Sequence, residues 1–147
     1  MIHTFQSELW VPRPLSHVFE FFSRAENLEA ITPPFLKFRI TKAPEEMKKG
    51  ALIEYALKVH GLPMRWKTEI ESWEPPHKFV DVQLSGPYKL WHHTHRFSER
   101  NGGTMIEDHV NFELPFGPIG DLVYHLQVKR DVEQIFAYRT EQVMKLL

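Results

Sequence analysis

The chain has 147 residues, 42% hydrophobic and 25% charged, with a formal net charge of −1. That size and balance fit one folded unit with a real core, and exclude a disordered chain or a basic nucleic-acid binder. The sequence contains no cysteine, so disulfides, thiolate catalysis, Cys-ligated zinc and iron–sulfur clusters are excluded.

Residues 2–11 contain an alternating stretch in which Phe5, Ser7, Leu9 and Val11 share one side, which predicts a strand. Pro12-Arg-Pro14 breaks it. Leu15, Val18, Phe19 and Phe22 then fall at i, i+3, i+4 and i+7, the stripe of an amphipathic helix, with Pro14 suited to its first turn. A second short helix is expected at Asn27–Ile31, capped by Asn27 and stopped by Pro33-Pro34.

From there the period becomes two. Leu36, Phe38 and Ile40 alternate with polar residues, as do Ile53, Tyr55, Leu57 and Val59, and then Trp66, Thr68 and Ile70. Such runs predict half-buried antiparallel strands. His60–Pro63 links the second and third of them. Phe79–Ser85, Leu90–Glu99 and Thr104–Leu114 complete about seven strands. On Phe79–Ser85 two phases compete, Val80/Val82/Leu84 or Phe79/Asp81/Gln83, and the pattern alone favours the first. Phe116–Gly120 ends the β pattern. Asp121–Leu147 holds no Pro or Gly and predicts one helix about 40 Å long, lying diagonally across the sheet.

Asn101-Gly102 between alternating runs predicts a type I′ hairpin. Arg100 then pairs with Gly103, His95 faces Asp108, His93 faces Val110 and Trp91 faces Phe112, all on one side of the sheet. Arg96/Glu107, Thr94/His109 and His92/Asn111 take the other side. The aromatic inner face therefore carries His93, His95 and Asp108, and the register makes His95 the expected hydrogen-bond partner of Asp108. Three roles are open to this group: a structural pair that fixes register, a polar anchor for a ligand, or acid–base catalysis by His95 and Asp108. His93, His95 and Asp108 also form a two-histidine, one-carboxylate set. Trp91 and Phe97 crowd it, and no metal or other cofactor is expected. On the last helix Val128, Val132, Ile135, Arg139 and Val143 share one face. Arg139 there either snorkels with its stem packed or brings its guanidinium toward Asp81 or Asp108.

Asn27-Leu…Ile31-Thr-Pro-Pro34, Phe79-Val-Asp-Val-Gln83, Gly86-Pro-Tyr88, Trp91-His-His-Thr-His95-Arg-Phe97, Gly102-Gly-Thr104 and Ile135-Phe-Ala-Tyr-Arg139 resemble bacterial cyclase/dehydrase-like members of the SRPBCC (START-like) superfamily. The resemblance spans nearly the whole chain. It implies an α+β helix-grip fold over residues 1–147: a curved antiparallel sheet of about seven strands, two short helices and a long C-terminal helix. It also implies a deep apolar cavity between sheet and helix, and it favours Phe79, Asp81 and Gln83 as the inward phase. The expected lining is Tyr55, Trp66, Thr68, Gln83, Trp91, His93, His95, Asp108, Phe136 and Arg139. Asn27–Pro34, His60–Pro63 and Gly86–Lys89 should border the mouth.

The expected occupant is a hydrophobic small molecule of lipid, isoprenoid or polyketide-like type. One alternative is a cyclase/dehydratase using His95 and Asp108 as general acid and base. Another is a protein-interaction domain whose cavity is filled by side chains. Met1–Glu8 lacks the layout of a signal peptide and no apolar run spans a bilayer, so a cytoplasmic monomer or weak homodimer without nucleic-acid partners is the expectation.

Overall fold

The computed structural model describes residues 1–147. The chain runs β1 (His3–Val11), α1 (Leu15–Phe22), α2 (Ala25–Ala30), a 3₁₀ turn (Pro34–Leu36), β2 (Arg39–Lys42), β3 (Leu52–Val59), β4 (Leu62–Glu74), β5 (Lys78–Ser85), β6 (Leu90–Arg100) and β7 (Gly103–Glu113). The final helix has three parts: α3 (Gly117–Val123), a π-helical stretch (Tyr124–Val128) and α4 (Lys129–Leu146). All strand pairings are antiparallel, and the seven strands lie in the order β1-β7-β6-β5-β4-β3-β2. One curved sheet gripping a C-terminal helix, with two short helices after the first strand, is the helix-grip architecture.

Two tight turns fix the registers that matter. Asn101 and Gly102 have φ of 51° and 77°, as a type I′ turn requires, and Arg100 pairs with Gly103. Every β6–β7 pair follows from that turn, including His95 opposite Asp108. His60 and Gly61, with φ of 50° and 81°, make the equivalent turn between Val59 and Leu62. On β5, Leu84 is exposed while Phe79 is buried, and Phe79 and Asp81 face the cavity. The inward phase is therefore the second one. Irregular pairing between β4 and β5, at Lys67/Thr68 and at Ile70/Ser72, accompanies this choice.

Several boundaries differ from the sequence expectation. Leu36 belongs to the 3₁₀ turn rather than to a strand, because Lys37 takes a left-handed φ of 49° and delays β2 to Arg39. Asn27 does not cap α2, which already starts at Ala25. Its side-chain amide instead donates to the Phe21 carbonyl at 2.8 Å and ties α2 to the end of α1. The last helix begins at Gly117 rather than Asp121. Pro118 occupies its first turn, where no N–H is needed, and Gly120 passes so close to the Pro115 carbonyl that a Cβ would lie 2.1 Å from it. The helix is also interrupted by the π-helical stretch, which the unbroken run of helix formers does not reveal.

The core is divided. A larger cluster joins α1 to the sheet through Val18, Phe19, Ile53, Ile70, Phe97 and Ile106, and reaches Val143 near the end of α4. A smaller one packs Val132 and Phe136 of α4 on Val110 and Phe112 of β7. No helix is long and apolar enough to cross a membrane.

Candidate functional site

Sheet and final helix enclose a cavity of about 790 Å³, in the size range of small-molecule sites. Of its 43 lining residues 28 are hydrophobic, so its walls are chiefly apolar. The interior is not filled by side chains, which removes the basis for a packed interaction domain. At one side Tyr55, Trp66, Tyr88 and Trp91 form a continuous aromatic wall, with successive centroids 4.9–5.8 Å apart. The Tyr55 hydroxyl is 3.0 Å from Thr68 Oγ1, and burial raises its pKa above the ordinary phenol value, so it stays protonated.

The expected mouth segments contribute Asn27, Leu28, Ile31 and Thr32, His60–Leu62, and Pro87 with Tyr88. Leu114–Phe116, Ile119 and Val123 also line the cavity. These were missed because Gly117 and Pro118 read as a break rather than as a helix start. His60 Nε2 lies 2.9 Å from Asp131 Oδ2, joining the β3–β4 hairpin to the final helix. Gln127 Nε2 donates to the other Asp131 oxygen at 2.9 Å.

Polar groups converge on one stretch of the cavity wall. His93 and His95 project from β6 to the same side, with ring centroids 3.6 Å apart, and His95 is sandwiched between His93 and Phe79 at 4.0 Å. The pairing differs from the one the register suggests. Asp108 Oδ1 lies 2.7 Å from His93 Nε2 and 3.4 Å from His95 Nδ1, whereas His95 Nε2 lies 2.5 Å from Asp81 Oδ2. The hydrogen-bonded pairs are thus His93–Asp108 and His95–Asp81. Arg139 closes the group, its Nη2 3.5 Å from His95 Nδ1 and 3.8 Å from Asp108 Oδ1. Its guanidinium stands over the Phe22 and Phe136 rings at 5.4 and 5.6 Å.

The charges of the cluster follow from this geometry. Burial pushes the Asp108 carboxyl up, but Arg139 and then the His93 bond outweigh it, holding Asp108 well below the usual carboxylate range. Asp81 is likewise raised by burial and lowered overall by His93, His95 and Arg139. Burial, then the neighbouring His93, lower His95 to about 4 despite its carboxylate neighbours. At neutral pH His95 is therefore an uncharged imidazole. The proton sits on Nε2, facing the Asp81 carboxylate, and Nδ1 accepts from Arg139.

Tyr55, Trp66, Thr68, Trp91, His93, His95, Phe136 and Arg139 all lie on the cavity wall. Two expected lining residues do not. Asp108 sits behind the imidazoles, and Gln83 is spent on the β5–β6 turn. Its Nε2 donates to the Tyr88 carbonyl at 2.7 Å, and its Oε1 accepts the Tyr88 N–H at 3.0 Å. Asp81 takes the place of Asp108 on the wall. The only signal for it in the sequence was the less apolar phase of β5.

Residues 11–138 match the family described as polyketide cyclase / dehydrase and lipid transport, and the chain belongs to that family, within the SRPBCC superfamily. No curated protein matches the sequence. Among solved structures the chain is similar to protein Ms6760 from Mycobacterium smegmatis, with 16% identity, a TM-score of 0.72, and coverage of 97% of this chain and 89% of that one. It is also similar to CV1439 from Chromobacterium violaceum, with 10% identity, a TM-score of 0.77 and coverage of 99% and 97%. Ginseng major latex-like protein 151 from Panax ginseng shares 17% identity at a TM-score of 0.61, with coverage of 90% and 96%. At these identities the likeness concerns the fold alone.

Proposed function

We propose that the protein binds an elongated, mostly apolar small molecule of lipid, isoprenoid or polyketide-like type. Its hydrocarbon body lies along the aromatic wall and its polar group meets His95, Asp81 and Arg139. The observation that carries this reading is an apolar cavity of about 790 Å³ with one buried charged cluster on its wall. Apolar walls supply affinity by removing surface from water, while a few convergent polar groups set orientation. The Arg139 guanidinium offers donors, and the Asp81 carboxylate an acceptor, to an oxygen-bearing group.

Native mass spectrometry of freshly purified protein, with saturable binding of 1-anilinonaphthalene-8-sulfonate, tests the reading. A co-purified apolar molecule that competes with the dye is the expected result. Absence of both a bound mass and saturable dye binding would overturn it.

A second reading, proton transfer to or from the bound molecule, is favoured by one contact: His95 is oriented by Asp81 at the cavity surface. An imidazole held by a carboxylate is suited to general acid–base work. Recovering the bound molecule chemically altered after incubation, but unaltered with His95→Gln, separates catalysis from carriage.

A further inference from the structure

The two imidazoles share one arrangement. Each turns one nitrogen toward Asp81 and the other toward Asp108. His95 Nε2 and His93 Nδ1 lie 2.5 and 3.7 Å from Asp81 Oδ2, and the opposite nitrogens, His93 Nε2 and His95 Nδ1, lie 2.7 and 3.4 Å from Asp108 Oδ1. Asp81, His93 and His95 bring one ligand atom each within 4.8 Å of one another. All three line the cavity, and Asp108 does not.

From this geometry we infer that Asp81 Oδ2, His93 Nδ1 and His95 Nε2 form a binding site for a divalent first-row transition metal ion, with its remaining coordination positions open to the cavity. Two histidines and one carboxylate on one side, with open positions opposite, suit zinc or ferrous iron and leave room for a ligand oxygen. Metal-bound histidines characteristically donate their second N–H to a carboxylate, which fixes the tautomer and aims the lone pair. Asp108 stands where that acceptor is needed, and its bond to His93 Nε2 leaves Nδ1 free to ligate. The ion would replace the proton shared by His95 and Asp81, and His95 would then carry its proton on Nδ1, toward Asp108.

Charge points the same way. Two buried carboxylates, Asp81 and Asp108, face the pair of imidazoles beside a single guanidinium, and acidic groups gathered out of water are what a bound cation offsets. The set read from the sequence had Asp108 as the carboxylate and was crowded by Trp91 and Phe97. Here the carboxylate comes from a different strand, Phe97 packs away from the cavity against Phe19 and Phe22, and Trp91 packs on Tyr88 and Phe112 and meets His93 only edge-on, its ring 6.4 Å away.

The inference concerns the same polar cluster but not the apolar occupant, so the two are tested separately. Tag-free, chelator-treated protein is titrated with Zn²⁺ by calorimetry and with Co²⁺ by visible absorption. One equivalent should bind, with Co²⁺ giving the intense bands of a low-coordinate site. Asp81→Asn and His95→Ala should abolish that equivalent, and Asp108→Asn should weaken it about 10–100-fold. His92→Ala, on the outer face of the same strand, should leave it unchanged. If His95→Ala does not fold, Asp81→Asn and the wild-type Co²⁺ spectrum decide. No stoichiometric binding, binding that survives Asp81→Asn, or equal loss in His92→Ala overturns the inference. Dye binding by the metal-free wild type reports on the apolar cavity independently.

Discussion

His93 Nε2 meets Asp108 Oδ1 at 2.7 Å, although the residue facing Asp108 across the β6–β7 ladder is His95. The imidazole two positions along the strand takes the carboxylate because β5 supplies a second one. Asp81 pairs with His93 in the β5–β6 register, yet its Oδ2 lies nearest His95. The side chains therefore cross diagonally on both flanks of β6, and neither histidine bonds the acid directly opposite.

Removing Asp108 should be costly. Asp108→Ala leaves the Arg139 guanidinium, with only 13% of its side chain exposed, without its nearest carboxylate. Breaking one side of a buried ion pair costs about 3–5 kcal/mol. Chemical denaturation should register a loss of that order, and Asp108→Ala/Arg139→Met should recover part of it.

Acid should destabilise the metal-free protein in two stages. His95 has a folded pKa near 4 against an unfolded value near 6.5, so between these pH values the unfolded chain binds more protons and stability falls as pH drops. A shift of this size corresponds to about 3 kcal/mol. Asp81 and Asp108, both depressed on folding, contribute stability that is present above the unfolded carboxylate value and lost below it, as pH falls through their folded values. Melting temperature against pH should therefore decline first from about pH 6.5. His95→Phe should remove the upper stage and keep the lower one.

Filling the cavity should block binding without unfolding the protein. Ile135 lines the cavity and is only partly buried, so Ile135→Trp grows into open space rather than into packed core. Dye affinity should fall at least about 10-fold while the melting temperature moves little. Phe136→Ala provides the contrast. That ring is 5% exposed, and its loss should cost about 3–5 kcal/mol.

The contact between His60 and Asp131 should govern access more than stability. His60 is 58% exposed, so His60→Ala should change stability by less than about 1 kcal/mol. Loosening the β3–β4 hairpin from the final helix should raise the rates of dye association and release. Stopped-flow fluorescence measures both, and unchanged rates would exclude a role for this contact in access.

What could be read in advance depended on how local the determinant was. Asn101-Gly102 dictates a turn geometry by itself, and the whole β6–β7 register follows from it. The stripe Leu15, Val18, Phe19 and Phe22 dictates α1 in the same way. Side-chain partners were less legible, because register places Cα atoms and leaves the imidazoles free to lean along the strand. Asp81 was hidden because both phases of β5 contain apolar residues, and the irregular β4–β5 pairing depends on contacts distant in sequence. Gln83 shared Asp81's phase, but the turn at Tyr88 claimed both ends of its amide. The start of the final helix was obscured by Gly117 and Pro118, each a breaker inside a helix and each acceptable at its beginning.

The widened turn at Tyr124–Val128 divides the last helix into a half that borders the opening and a half that delivers Arg139. Each residue of an α-helix advances the azimuth by roughly 100°. The wider turn takes up about one extra residue, so rewinding this stretch as regular α-helix with every residue kept would rotate one half against the other by about that angle. Either Ile119 and Val123 would turn from the chamber, or Arg139 would swing off the acids it offsets. The irregularity thus acts as an angular spacer, keeping doorway and anchor in phase along a single rod.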